Sequence, residues 1–221
     1  MKTLQEKQKG FTLIEIAIVL VIIGLLLGGV LKGQELINNA KVKNLATDFR
    51  NIPVYIYGYQ DKFKAIPGDD VAAMTHVGAS NNGNGNGIID GPWDSLTPTD
   101  ESILFWQDVR LAGLAAGPTV IDVSANSSFL PRNAMGSRVG ITAGGAFSPI
   151  LNLRGSYIIC SDGIPGKFAR QLDTTLDDGN TITGSVMVMA QSPTTPGAVG
   201  RPAVTLTTAN DDTPFTVCMG V

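Results

Sequence analysis

The fold of this chain is decided near its beginning, where residues 9–31 read KGFTLIEIAIVLVIIGLLLGGVL. From Phe11 to Leu31 the chain carries a single ionisable side chain, that of Glu15. At a rise of about 1.5 Å per residue, a helix over this run is about 30 Å long, which matches the hydrocarbon core of a bilayer. The run therefore predicts a membrane-spanning helix over residues 11–31.

The whole chain of 221 residues has the composition of a protein with a folded core, at 43% hydrophobic and 16% charged residues. Its formal net charge of -3 argues against a nucleic-acid partner, because nucleic-acid binding is marked by a basic excess. His76 is the single histidine and has no recognisable relay in the sequence, so no catalytic constellation is predicted. The sequence predicts a protein that is not an enzyme.

The residues in front of the apolar run form a short basic flank. Lys2, Lys7 and Lys9 outnumber Glu6 there, which favours a cytoplasmic N-terminus. An ordinary secretory signal is cut after its apolar core, whereas here Gly10 ends the polar flank directly before that core. Any cleavage site is therefore expected in front of the membrane span.

This arrangement resembles the leader motif of type IV prepilins and pseudopilins, which joins a basic leader, Gly10 before the aromatic Phe11, and Glu15 within the span. The resemblance implies that a prepilin peptidase cuts between Gly10 and Phe11 and that Phe11 is N-methylated. It also implies an inner-membrane assembly platform and a polymer with other pilin-like subunits as partners. The implied location is the bacterial inner membrane, followed by a periplasmic pseudopilus or an extracellular pilus.

Glu15 is costly within a membrane span, and an acid in that position indicates a function. Cleavage after Gly10 would leave a positive α-amino group on Phe11 at a similar depth. Our hypothesis is that Glu15 pairs with the Phe11 amine of an adjacent subunit and sets the register of filament assembly. The alternative is a protonated Glu15 that is hydrogen-bonded within its own helix.

Beyond the span, apolar residues recur every three or four positions, which is the period of a helix face. They are Val42, Leu45, Phe49, Ile52, Ile56, Tyr59 and Phe63. Pro53 falls within this stripe and predicts a kink in a helix that continues to about Lys62. The predicted organisation is a leader over 1–10, a long helix over 11–63 and a globular head over 64–221.

The head is predicted to combine helices with an antiparallel sheet. A turn at 66–69 ends the long helix, and two further helices are expected over 100–112, with Thr99 as a candidate N-cap, and over 164–176. The strand-like runs are 119–123, 138–142, 156–161, 185–190, 203–207 and 215–219. The predicted fold class is α+β, with the long N-terminal helix packed on the sheet as in type IV pilins.

Cys160 and Cys218 are too few for a four-thiolate metal site. An exported head favours a disulfide between them, which would stabilise the fold by roughly 4 kcal/mol through loop closure. The alternative is a pair of buried free thiols.

Residues 82–90, NGNGNGIID, place oxygen-bearing side chains at alternating positions, as a calcium loop does. The candidate ligands are Asn82, Asn84, Asn86 and Asp90, although Asn stands where such loops carry Asp and Trp93 where they carry Glu. Calcium is the cofactor that this pattern allows, and an Asn-Gly turn without an ion is the alternative.

Together these features predict a structural subunit of a type IV pilus-like filament. A pseudopilin or a minor tip subunit of a secretion or related machine is the first alternative. A membrane-tethered hydrolase or binding protein that does not polymerise is the second, although a simple tether needs neither the cut site nor Glu15.

Overall fold

A computed structural model of the chain describes residues 11–124, 127–191 and 197–221. The chain divides into two compact units, with the boundary between Ala40 and Lys41. Helix α1 is continuous from Leu13 to Phe63, which confirms the predicted long helix and its end. Lys64 follows with a positive φ of 57°, a conformation that leaves the helix.

The second half of α1 carries the core stripe that the sequence predicts. Six of the seven predicted positions are buried, and Phe63 is half-buried. The helix continues without a break through Pro53. Within the unit 41–221, the five stripe residues from Val42 to Ile56 share one hydrophobic cluster with residues of the sheet and of two other helices.

Four antiparallel strands form one sheet in the order β1-β2-β4-β3. Their bounds are β1 Val139–Ala143, β2 Tyr157–Pro165, β3 Val186–Ala190 and β4 Pro214–Gly220. The strands are buried on both faces: Ile141, Ile159 and Val217 belong to the cluster that includes α1, whereas Ile158 and Met187 belong to a second cluster. The fold is therefore α+β, as predicted, and is consistent with the type IV pilin fold.

Three shorter helices complete the architecture: α2 Ala73–His76, α3 Glu101–Leu111 and α4 Gly166–Leu176. The sequence predicts α3 and α4 within two residues but gives no signal for α2. The candidate cap Thr99 is wrong, because the N-cap of α3 is Asp100, whose carboxylate accepts a hydrogen bond from the Ser95 hydroxyl.

Two predicted strands are wrong, although their residues lie within the described chain. The segment 119–123 is irregular because α3 side chains bind the backbone there: Gln107 donates to the Thr119 carbonyl and Arg110 to the Pro118 carbonyl. The segment 203–207 makes one strand-like bond, from the Val204 amide to the Val188 carbonyl. Neither segment joins the ladder of the sheet.

Candidate functional site

The N-terminal half of α1 presents an apolar surface on every side. Its most apolar window of 18 residues has a mean hydropathy of 2.8, and none of that window is buried. Leu13, for example, is 92% exposed and Leu25 is 74% exposed. Apolar surface of this extent is unfavourable in water, so lipid or other apolar helices must cover it. By length and composition α1 can cross a membrane.

Glu15 and Thr12 close the first turn of α1 in a reciprocal arrangement. The Thr12 amide and hydroxyl both donate to Glu15 Oε2 at 2.8 Å, and the Glu15 amide donates to the Thr12 hydroxyl oxygen at 3.3 Å. This is the geometry of a capping box, which satisfies amides that a helix start leaves without partners. The Glu15 carboxylate is thereby held at the helix N-terminus, where the helix dipole favours negative charge.

The sequence comparisons concern this same segment. Residues 6–31 match the family model of the prokaryotic N-terminal methylation motif. That motif is the hallmark of type IV pilin and pseudopilin prepilin-like proteins, and it implies processing by a prepilin peptidase and assembly with other pilin-like subunits. A search of the curated proteins found no match to the chain. Gly10, the predicted residue before the cut, lies outside the described residues.

In the head, the predicted calcium loop is organised around a carboxylate from elsewhere. The amides of Gly85 and Asn86 donate to Asp69 Oδ1 at 2.6 and 3.0 Å, and the amide of Gly87 donates to Asp69 Oδ2 at 2.7 Å. The loop therefore directs backbone N–H groups inward and encloses an anion, as backbone nests do. We define residues 82–90 together with Asp69 as the Asp69 loop.

The predicted calcium ligands already have partners in this arrangement. The side-chain amides of Asn84 and Asn86 donate to Asp90 Oδ2 at 2.7 and 2.8 Å. The side-chain oxygen of Asn82 accepts the Met74 amide at 2.9 Å. An ion at this loop would have to displace the two bonds to Asp90, and calcium binding there stays a prediction.

Glu101, in the first turn of α3, binds the same loop at two positions. Its carboxylate accepts the Asn84 amide at 2.8 Å and the Asp90 amide at 2.9 Å. Burial raises the pKa of Glu101 above its ordinary value, and these two amides oppose that rise. The loop is therefore attached to α3 by charge-assisted hydrogen bonds, which are stronger than neutral ones.

His76 has an acidic partner that the sequence did not reveal. Its Nδ1 lies 2.6 Å from Asp70 Oδ2, and the Tyr59 hydroxyl donates to the same oxygen at 2.8 Å. Burial by itself raises the pKa of Asp70, but hydrogen bonds from His76, the Ala72 amide and Tyr59 outweigh it and lower the pKa. The His76 ring also stacks on Phe63, so this cluster ties the end of α1 to the segment that follows it.

Cys160 and Cys218 are directly opposite each other on β2 and β4 and form a disulfide. Both are fully buried, in the hydrophobic cluster that also contains Trp93. The bond joins the two central strands of the sheet.

Three aspartates converge at the end of α4, in a cluster that the sequence pattern does not predict. One carboxylate oxygen from each of Asp173, Asp177 and Asp178 lies within 4.8 Å of the others. Burial raises the pKa of Asp173 to about 7, with further contributions from Asp178 and Asp177. The sequence shows that the three aspartates are near one another along the chain, but it does not show that Asp173 is fully buried.

Proposed function

We propose that this chain is a structural subunit of a type IV pilus-like filament. In this proposal a prepilin peptidase removes residues 1–10, Phe11 becomes the methylated N-terminus, and α1 packs among the helices of other subunits. The observation that carries the proposal is the methylation motif at residues 6–31, which coincides with an apolar helix surface that no part of the described chain covers. A filament core of parallel helices would cover that surface.

Glu15 has a specific role in the proposal. Its carboxylate is held in the first turn by Thr12, close in sequence to the amine that cleavage would create on Phe11. Pairing that carboxylate with the Phe11 amine of the adjacent subunit would neutralise both charges in an apolar surrounding, and a subunit at the wrong height would leave both unpaired. The same pairing would favour one axial position for each incoming subunit.

The proposal places the protein in the inner membrane with a cytoplasmic N-terminus, and then in a filament outside that membrane. The alternative within the same class is a pseudopilin or a minor tip subunit, which shares the motif and the helix. The fraction of mature protein that leaves the membrane as filament separates these cases.

Processing gives the first test. In membranes of the native host, the N-terminal peptide is expected to begin at Phe11 and to carry one added methyl group. Gly10→Val is expected to retain the leader, because the resemblance to prepilins assigns the cut to the bond after Gly10. Mass spectrometry of the N-terminal peptide measures both, and Gln8→Val, a change of the same kind within the leader, is the matched control. An intact leader on the wild-type protein would contradict the proposal.

A further inference from the structure

The aspartate cluster at the end of α4 holds more negative charge than its surroundings neutralise. Asp173 is 0% exposed, and neither of its carboxylate oxygens has a hydrogen-bond partner. Asp177 and Asp178 bring two more carboxylates to within 4.8 Å. Within the described residues, none of the ion pairs involves any of these three aspartates.

An arrangement of this kind is costly unless a cation completes it. Removing a carboxylate from water without a partner carries a large desolvation cost, and neighbouring like charges add to it. Two other buried carboxylates of the head have several partners each: Asp69 accepts three amides and Glu101 accepts two. Asp173 differs from these two residues, because neither of its buried oxygens has a hydrogen-bond partner.

We propose that Asp173, Asp177 and Asp178 bind a calcium ion. Three oxygen atoms within 4.8 Å of one another can bind one ion once small side-chain rotations bring each of them to about 2.4 Å from it, which is the calcium–oxygen distance. The donors are all carboxylate oxygens, the ligand type of hard cations. Asp177 and Asp178 are adjacent in sequence, which restricts the angle between their bonds to a shared ion. Calcium accepts such irregular coordination better than magnesium does.

The two outer carboxylates are fixed in place by the turn that follows α4. Asp177 Oδ2 accepts the amides of Ser185 and Val186 at 2.6 and 2.9 Å. Asp178 accepts the Asn180 amide at 2.8 Å through Oδ1 and the Thr183 hydroxyl at 3.0 Å through Oδ2. Each carboxylate keeps unused lone pairs, so these bonds position the ligands without using them up.

Gly184 makes room for this arrangement. Its φ of +84° lies in the left-handed region, and a Cβ at this position would collide with the Asp177 carboxylate. The end of α4 also favours a cation, because the carbonyl end of a helix carries partial negative charge. The helix end and the three carboxylates therefore bring negative potential to the same region.

Access from solvent follows from the burial of the three ligands. Asp173 is buried, Asp177 is half-buried and Asp178 is exposed. An ion can enter from the side of Asp178, and water can fill the coordination positions that the protein leaves open. Three carboxylates with an open side are typical of weak calcium sites, with dissociation constants of about 0.1 to 1 mM.

The test is thermal unfolding of the full-length protein in detergent, after removal of metal ions, with and without 10 mM calcium chloride as the added probe. This concentration is roughly tenfold above the weakest of these dissociation constants. Calcium is expected to raise the Tm by about 3–5 °C, and the same concentration of magnesium chloride by less. Asp173→Asn and Asp178→Asn are each expected to abolish the rise. Asp90→Asn, the same charge change in the Asp69 loop, is the matched control and is expected to keep it.

Asp173→Asn carries a second expectation in the absence of calcium. Because it removes a buried charge without a partner, its metal-free Tm is expected to exceed that of the wild type. The proposal is overturned if calcium does not raise the wild-type Tm, or if the rise persists in Asp178→Asn. A rise that is lost in Asp90→Asn and kept in Asp173→Asn would assign calcium to the Asp69 loop and would also overturn it.

Discussion

Glu15→Ala is expected to remove sheared filaments while the amount of membrane-inserted protein stays unchanged. Without the carboxylate, the Phe11 amine of the neighbouring subunit would be left unpaired in an apolar surrounding. An unpaired charge at such a depth costs about 2.5–3.5 kcal/mol, which is roughly a hundredfold in the equilibrium for adding a subunit. Quantifying the protein in sheared and membrane fractions measures this effect.

Two further variants separate pairing between subunits from capping within one helix. Thr12→Val removes the hydroxyl that bonds to Glu15 but leaves the carboxylate available, so it is expected to retain most of the filament. Glu35→Ala is the matched control, because Glu35 is an acid on the same helix with an exposed partner, Lys32, at 2.7 Å. Filament loss in Thr12→Val equal to that in Glu15→Ala would favour the capping role and contradict the pairing role.

Asp69→Ala is expected to lower the free energy of unfolding of the head by about 3 kcal/mol. Its carboxylate accepts three amides from the Asp69 loop, and Asp69 itself is 5% exposed. Without this acceptor, each amide must either bond to water or stay without a hydrogen bond. A buried amide without a hydrogen bond is destabilising. Denaturant unfolding followed by the fluorescence of Trp93 and Trp106, both buried in the head, measures the change.

Two other variants serve as references for the loss of unfolding free energy in Asp69→Ala. Asp69→Asn keeps one carbonyl acceptor, so its loss is expected to be intermediate. Asp61→Ala removes an aspartate whose side chain is 92% exposed and whose ion pair with Lys64 lies at the surface, where such pairs contribute little. An Asp69→Ala loss as small as that of Asp61→Ala would show that the amides are satisfied by other means.

The sequence predicts best those features that depend on local periodicity. The apolar run 11–31 and the stripe from Val42 to Tyr59 both follow the helical repeat over many turns, and α1 appears over their combined length. Helices α3 and α4 are also predicted from periodicity and turn residues. The four strands that form are predicted because each contains a short run of apolar residues, as is typical of strands buried on both faces.

The errors arise where distant side chains decide the local structure. Residues 119–123 have the composition of a strand, but Gln107 and Arg110 of α3 bind the backbone of this segment or its immediate neighbour. In residues 82–90 the backbone amides of Gly85, Asn86 and Gly87 donate to Asp69, a contact that the local pattern does not predict. Neither outcome can be seen without knowing which distant segments come together.

The candidate functional residues also fall into two groups, those that the sequence predicts and those that only the fold reveals. Glu15 stands out in the sequence because a charge within an apolar run is visible without a structure. Its Thr12 partner is three residues away and follows the pattern of a capping box, which is a local signal in the sequence. The buried state of Asp173 depends on packing in the head, so the aspartate cluster emerges only from the fold.

The most direct test of the central claim is to shear filaments from cells of the native host and to quantify this protein, with its N-terminal peptide, in the sheared and membrane fractions. The filament proposal predicts abundant protein in the sheared fraction that begins at a methylated Phe11. Processed protein confined to the membrane would point to a pseudopilus or a scarce tip subunit instead. Protein that keeps residues 1–10 and never enters the sheared fraction would contradict assembly through the N-terminal helix.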